Sequence, residues 1–301
     1  MAPLKSSTET QHSQAGSTTR QLQRGVYPGL LALLVAAAGL LQTPPATAQP
    51  PPTIGQVGKD VPWVPTPDEL VNTMLGMAAV TPEDLVIDLG SGDGRTVIAA
   101  ARLGARAIGV ELEPGLVELS RRRAREAGVA ELTEFVETDL FDYDISPATV
   151  ITMFLLPELN YRLRPTLFTL EPGTRIVSNT WDLRGEKDNP DALGWRADEV
   201  VVLDPCPTWC TSLLWIVPAR VQGAWRLGPG ELRLDQQFQM LTGSLRVDGR
   251  TMPIEVGRLR GTEISFRVGA TSYTGRVRGT TMTGVARTPN GAVDWNATRS
   301  R

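Results

Sequence analysis

Three glycines, Gly90, Gly92 and Gly94, crowd the run Val86-Ile87-Asp88-Leu89-Gly90-Ser91-Gly92-Asp93-Gly94-Arg95, where an apolar segment of strand character gives way to one of helix character. Glycine lacks a Cβ and tolerates positive φ, so backbone there can pass close to a ligand. A dinucleotide turn, G-x-G-x-x-G, needs its third glycine at position 95, and that position is Arg95. Charge separates the possibilities further. Asp88 and Asp93 flank the bend, and two carboxylates repel a pyrophosphate but attract a cation. Glu111 ends the next apolar run, Ala107-Ile108-Gly109-Val110-Glu111, where an acid can accept both hydroxyls of a ribose. Asp139, in Glu137-Thr138-Asp139-Leu140, follows a third such run and is placed to accept from the amino group of a base. The pattern asks for a cationic nucleoside without phosphate, and S-adenosylmethionine, with its sulfonium and ammonium, meets that requirement.

Other chemistries lack their residues. The only histidine, His12, lies in a segment that reads as a removable leader, so the mature chain has no imidazole for a Ser-His-Asp triad, a Cys-His pair or a metal. Cys206 and Cys210 form a C-x3-C pair suited to a local disulfide in an oxidising compartment, and no other Cys or His is present to complete a zinc site. No metal is expected. Displacement of a methyl group from a sulfonium needs none of these, because the leaving group is neutral and alignment and desolvation supply the catalysis. Phe154 to Pro157 can form an apolar channel for an acceptor stem, with Glu158, Asn160 or Tyr161 as polar guides. Trp63 and Trp181 read first as packing aromatics, with a cation-facing role as the alternative.

The elements that must position these residues follow from periodicity. Apolar runs at Leu85–Leu89, Ala107–Glu111, Leu132–Val136, Thr149–Phe154, Arg175–Ser178, Glu199–Leu203 and Ser212–Val217 read as seven strands. Helices are expected over Asp68–Met77, Arg95–Leu103, Leu116–Ala127 and Leu159–Leu170, the first opened by Thr66, Pro67, Asp68 and Glu69. Arg121, Arg122, Arg123 and Arg125 read as a solvated helix face. The alternation predicts a Rossmann-like seven-stranded α/β sheet over residues 61–219. Beyond it, period-two segments between Gly and Asn turns predict seven or eight short antiparallel strands over 220–301, a barrel or a sandwich.

Upstream, Arg20 and Arg24, the apolar run Gly29 to Leu41 and the small-residue pattern Ala46-Thr47-Ala48 read as a signal peptide over 1–48, cleaved after Ala48, or as an uncleaved signal anchor. Cleavage implies export to the periplasm; retention implies an anchor in the inner membrane, with membrane association through the apolar run and the topology left open. Residues 49–60 continue a Pro-rich linker. The formal charge of −3 and pI near 5.4 give no broad basic field, so no nucleic acid partner is expected.

The stretch Val86 to Asp139, above all D-L-G-S-G-D-G-R, resembles the class I S-adenosylmethionine-dependent methyltransferases. With Val61-Pro62-Trp63-Val64-Pro65-Thr66 before it and Phe154-Leu155-Leu156-Pro157 after it, it is similar to the branch containing the mitochondrial lysine methyltransferases of the ATP synthase and of adenine nucleotide translocase. The likeness covers about half of the chain. It implies cofactor contacts from Asp88, Gly90, Ser91, Gly92, Gly94, Glu111, Leu112, Asp139 and Leu140, a substrate pocket at Trp63, Thr66, Phe154, Leu155 and Pro157, and lysine of a protein as acceptor. The leader and the C-terminal β domain depart from that branch. A small-molecule acceptor, or a binding protein that keeps the pocket without turnover, are the alternatives.

Overall fold

Strands that must be apolar on both faces form the centre of the first domain. In the computed structural model, which describes residues 63–184, 194–205 and 208–300, the sheet comprises β1 (Leu85–Leu89), β2 (Arg106–Glu111), β3 (Thr133–Glu137), β4 (Val150–Met153), β5 (Arg175–Asn179), β6 (Glu199–Val202) and β7 (Thr211–Ile216), the central strands being flanked by the more exposed edge strands β3 and β6. The sheet order is β3-β2-β1-β4-β5-β7-β6, parallel except for β7, which runs against both neighbours. Alternate residues feed alternate cores. Val86, Ala107, Val150 and Val177 face the helices α1 (Asp68–Met77), α2 (Arg95–Arg102) and α3 (Pro114–Glu126), while Ile87, Ile151 and Ile176 face α4 (Pro157–Thr169). All seven strands and four helices expected from periodicity are present. The ends differ by a residue or two, because Pro114 and Pro157 occupy first-turn positions where a missing N–H costs nothing. The leader, the linker, Val61, Pro62 and Cys206 lie outside the described residues.

The second domain resolves the choice between barrel and sandwich. Strands β8 (Gly223–Leu227), β9 (Gly230–Gln237), β10 (Met240–Val247), β12 (Glu255–Arg260), β13 (Glu263–Val268), β14 (Thr271–Arg278), β15 (Thr281–Thr288) and β16 (Gly291–Arg299) close into an antiparallel ring through the pairings β16–β8 and β9–β10. β11 (Arg250–Pro253) pairs only with β10. Sequence alternation missed β11 and β12, since Pro253 interrupts them and a register shift falls between Glu255 and Arg258, around Val256 at φ 49°. Leu232, Leu259, Ile264, Phe266, Met282 and Trp295 fill the interior. The directly paired Gly275 and Gly284 make room for this packing, because a Cβ on Gly275 would lie 2.7 Å from the Trp295 ring and one on Gly284 would lie 2.0 Å from the Thr274 carbonyl oxygen.

The barrel is not an independent appendage. Phe238, in the β9–β10 turn, stacks on Trp195 (5.7 Å between centroids) and meets Phe168 edge-on (5.2 Å). Gln239 donates to the Arg196 carbonyl at 2.6 Å, and Arg258 pairs with Asp198 at 2.6 Å. We expect Phe238→Ala to cost about 2 kcal/mol of stability, below the usual range for a fully buried ring because Phe238 is half-buried. Calorimetry should show one cooperative transition moved to lower temperature in the variant. Two separated transitions already in the parent would show that the wedge does not couple the domains.

Candidate functional site

A crevice opens where the strand order turns outward, at the carboxyl ends of β1 and its neighbours β2 and β4. Its volume is about 340 Å³, within the range of small-molecule sites. The turn after β1 is built by close backbone approach. Gly90 and Ser91 donate to the Val110 carbonyl at 2.9 and 3.0 Å, Ser120 donates from Oγ to the Gly92 carbonyl at 2.9 Å, and Gly92 at φ 54° has the Trp63 indole nitrogen 2.6 Å from where a Cβ would stand. A side chain at 92 would displace Trp63.

Of the residues chosen from sequence, Asp88, Gly90, Ser91, Gly92, Glu111, Leu112, Asp139, Leu140, Trp63, Thr66, Phe154 and Leu155 line this one crevice. Gly94 and Pro157 stand outside its lining. Gly94 is the left-handed cap of α2 and faces Phe135 and Ser120, where a Cβ would meet both at 2.8 Å, so its glycine serves helix–sheet packing. Pro157 is the first residue of α4. Glu158, Asn160 and Tyr161 also lie outside the lining, and Asn160 donates instead to the Trp181 carbonyl at 3.2 Å.

The four acids singled out by their spacing have separate fates. Asp93 is buried and held by Arg95, at 3.0 and 2.7 Å, and by Arg123; these partners keep its carboxyl below the usual range despite burial. That corrects two expectations: Asp93 is already neutralised and is no seat for a cation, and Arg123 is not merely solvated. Arg95 also donates to the Thr66 carbonyl at 2.8 Å, tying the Trp63–Thr66 segment to the crevice. Glu111 accepts from the backbone N–H groups of Gly92 (2.8 Å), Leu112 (2.9 Å) and Glu113 (3.0 Å), which fixes its carboxylate at the rim. Asp139 accepts from Phe141 N–H at 2.9 Å. Asp88 has no cationic partner among the described residues. Burial pushes its carboxyl up to about 7, the Thr152 hydroxyl at 2.7 Å opposes this, and the charges of Glu111 and Asp93 add to the rise.

The opposite wall is aromatic. Trp209 packs against Phe154 (5.9 Å) and Trp181 (5.8 Å), and all three line the crevice with Trp63, Leu155 and Leu156. Nothing in the sequence marked Trp209. It sits in the β6–β7 connection at φ 57°, beside Cys210, which is disulfide-bonded, and only the antiparallel return of β7 beside β5 brings it to the crevice. Among the described residues no cluster of His, Cys, Asp or Glu is suited to a metal.

Similarity to known proteins runs through this part of the chain. The model of the ANTKMT methyltransferase domain matches residues 88–189. A protein-lysine N-methyltransferase of Saccharolobus islandicus (strain REY15A) is 40% identical over 160 residues, 52% of this chain and 94% of the relative. A lysine N-methyltransferase of the ATP synthase C-subunit from Homo sapiens is 32% identical over 177 residues, 58% of this chain and 75% of the relative. Its Xenopus laevis counterpart is matched over about half of its length. A solved structure described as an RNA methyltransferase from Salinibacter ruber, in complex with S-adenosyl-L-homocysteine, is 46% identical, covers 52% of this chain and 96% of its own, and has a TM-score of 0.47.

The Asp88 carboxyl makes the stability of the fold depend on pH. Its value in the fold, about 7, lies above the ordinary 3.8, so its contribution to stability is complete below the ordinary value and is lost as pH rises through about 7, up to about 4 kcal/mol. We expect Asp88→Asn to remove that loss, so that the stability of the cofactor-free variant relative to the parent rises between about pH 4 and about pH 8. Melting curves at both values check it, and equal differences at the two would place the titration elsewhere.

Proposed function

The chain belongs to the S-adenosylmethionine-dependent protein-lysine N-methyltransferases, and we propose that Asp88, Glu111 and Asp139 hold the cofactor and that the acceptor lysine enters along Phe154, Trp181 and Trp209. The observation that carries this is Asp88, a buried carboxyl at the crevice with no cation beside it among the described residues. A group in that state favours a ligand that brings positive charge. Glu111, locked by three amides, presents its remaining lone pairs to ribose hydroxyls, and Asp139 offers an acceptor to the base. Gly90, Ser91 and Gly92 allow the backbone to lie against the methionine portion.

S-adenosylmethionine supplies an electrophilic methyl carbon with a neutral thioether as its leaving group. The chain's contribution is alignment and dryness. Leu155, Leu156 and Leu159 share the wall with the aromatics, and that apolar lining lowers the pKa of an entering ammonium so that its lone pair becomes available. Trp181 and Trp209 add faces that seat the ammonium on entry, and its proton passes to solvent water before the neutral nitrogen reaches the methyl carbon.

Three outcomes test this reading. The full chain, incubated with methyl-labelled S-adenosylmethionine and a membrane extract, should label a protein band that yields methyl-lysine on hydrolysis; label confined to RNA or small molecules, or binding without transfer, would overturn the acceptor. Asp88→Ala and Glu111→Ala should each weaken cofactor binding by about 1–3 kcal/mol, the usual loss for a charge-assisted hydrogen bond, as read by calorimetry. Trp209→Ala should raise the acceptor KM about three- to tenfold with little change in cofactor affinity, in line with the ~0.5–1.5 kcal/mol of an aromatic pair.

We also propose that residues 1–48 direct the chain out of the cytoplasm or anchor it in the inner membrane. The leader pattern and the disulfide-bonded Cys210 support this, since disulfides persist in oxidising compartments. Sequencing the N-terminus of the cell-derived protein distinguishes cleavage after Ala48 from retention.

A further inference from the structure

The chain's net charge of −3 conceals a strong segregation. Residues 220–301 hold 13 arginines, no lysine and six acids, a formal +7, so residues 1–219 carry −10. The barrel register gathers much of that positive charge on one wall. Directly paired residues point to the same side of a sheet, and outward positions along β12 to β15 form the rows Arg260–Glu263–Arg276–Thr283, Arg258–Ser265–Thr274–Val285 and Arg267–Ser272–Arg287. Arg278 extends the wall at the end of β14, opposite Thr281. The wall therefore carries six arginines and a set of short hydroxyl side chains; four of the arginines are ion-paired, Arg258 with Asp198 and Arg260 with Glu199 of the first domain, Arg267 with Glu255 and Arg276 with Glu263, which leaves Arg278 and Arg287 to face solvent unpaired. A trough of about 550 Å³ runs across it, floored by Ser265, Thr274 and Thr283 and walled by Arg258, Arg260 and Arg276. The side chains of Arg278 and Arg287 make no hydrogen bond or ion pair among the described residues, and both residues are exposed.

We propose that this wall of the barrel docks on the phosphate headgroups of an anionic bilayer. Arginine forks and hydroxyls are donors suited to phosphate oxygens. A surface of negative potential attracts the +7 barrel and repels the −10 remainder, so attraction also orients the molecule, barrel toward the headgroups. The same chain carries the apolar run Gly29 to Leu41, which suits a membrane location. Single-stranded nucleic acid is the weaker fit, because such sites stack bases on exposed aromatics, whereas Trp225, Phe266 and Trp295 are buried and Tyr273 is stacked on Phe266.

The test uses the full chain and the variant Arg278→Glu/Arg287→Glu, which breaks no described ion pair and leaves the crevice untouched. Both are cosedimented with vesicles of phosphatidylcholine alone and with vesicles containing about one-third phosphatidylglycerol, at about 0.1 M and about 0.5 M salt. The parent should partition onto the anionic vesicles, lose most of that excess at high salt, and exceed the variant by about tenfold or more at low salt. Cofactor binding equal to the parent's verifies that the variant is folded, and the comparison with neutral vesicles removes any contribution of the apolar run. Equal partition of parent and variant would overturn the proposal. So would charge-sensitive binding to a single-stranded RNA oligonucleotide, or charge-sensitive self-association by light scattering, without a vesicle preference.

Discussion

Buried carboxylates at a tight backbone bend must be compensated or left wanting, and the difference between Asp93 and Asp88 organises this site. Asp93 is enclosed by Arg95 and Arg123. Those contacts reach outward, through Arg95 to the Thr66 carbonyl and through Arg123 to α3, so neutralising one acid also fixes the segment before α1 and the helix after β2. Asp88, on the strand that leads into the same bend, has no such arginine and remains poised near 7. Removing an unpaired buried charge from water is costly, which is why the fold holds this group in a state that a cationic ligand can change.

Rigidity around Asp88 is what makes that state useful. The glycine turn is pinned from both sides by Val110 and Ser120, and Glu111 is clamped by the amide of Gly92 as well as by two amides of its own chain segment. The carboxylates of Asp88 and Glu111 thus sit on the ends of strands rather than on free loops, which limits their freedom to reorganise. The aromatic side of the crevice is assembled differently, from the ends of β4 and β5 and from the β6–β7 connection. The acidic and the aromatic walls can therefore vary separately within one sheet architecture.

The barrel contributes in a third way. Its closure leaves only β11 outside the ring, and its Phe238 wedge makes the Trp195 region of the first domain part of a shared core. Position is thereby transmitted between the two domains. Segregation of charge between them is then a property of the whole described body, with the acidic catalytic domain held in a defined relation to the arginine-rich wall.

Sequence alone determined the parts governed by local rules. Alternation of apolar runs located the seven strands and four helices, because burial on both faces leaves a one-dimensional trace, and the spacing of Gly90, Gly92, Asp88, Glu111 and Asp139 located one side of the crevice, because parallel strands deliver their carboxyl ends to one edge. Tertiary structure decided what depends on residues far apart in the chain. It decided that Asp93 meets Arg123, thirty positions on, that Gly94 packs against Phe135 and Ser120, that the β domain closes as a barrel, and that Trp209 meets Phe154 and Trp181. Each of those outcomes rests on a contact between segments whose separation in sequence carries no periodic signal, so the geometry of packing is the only place where it is written.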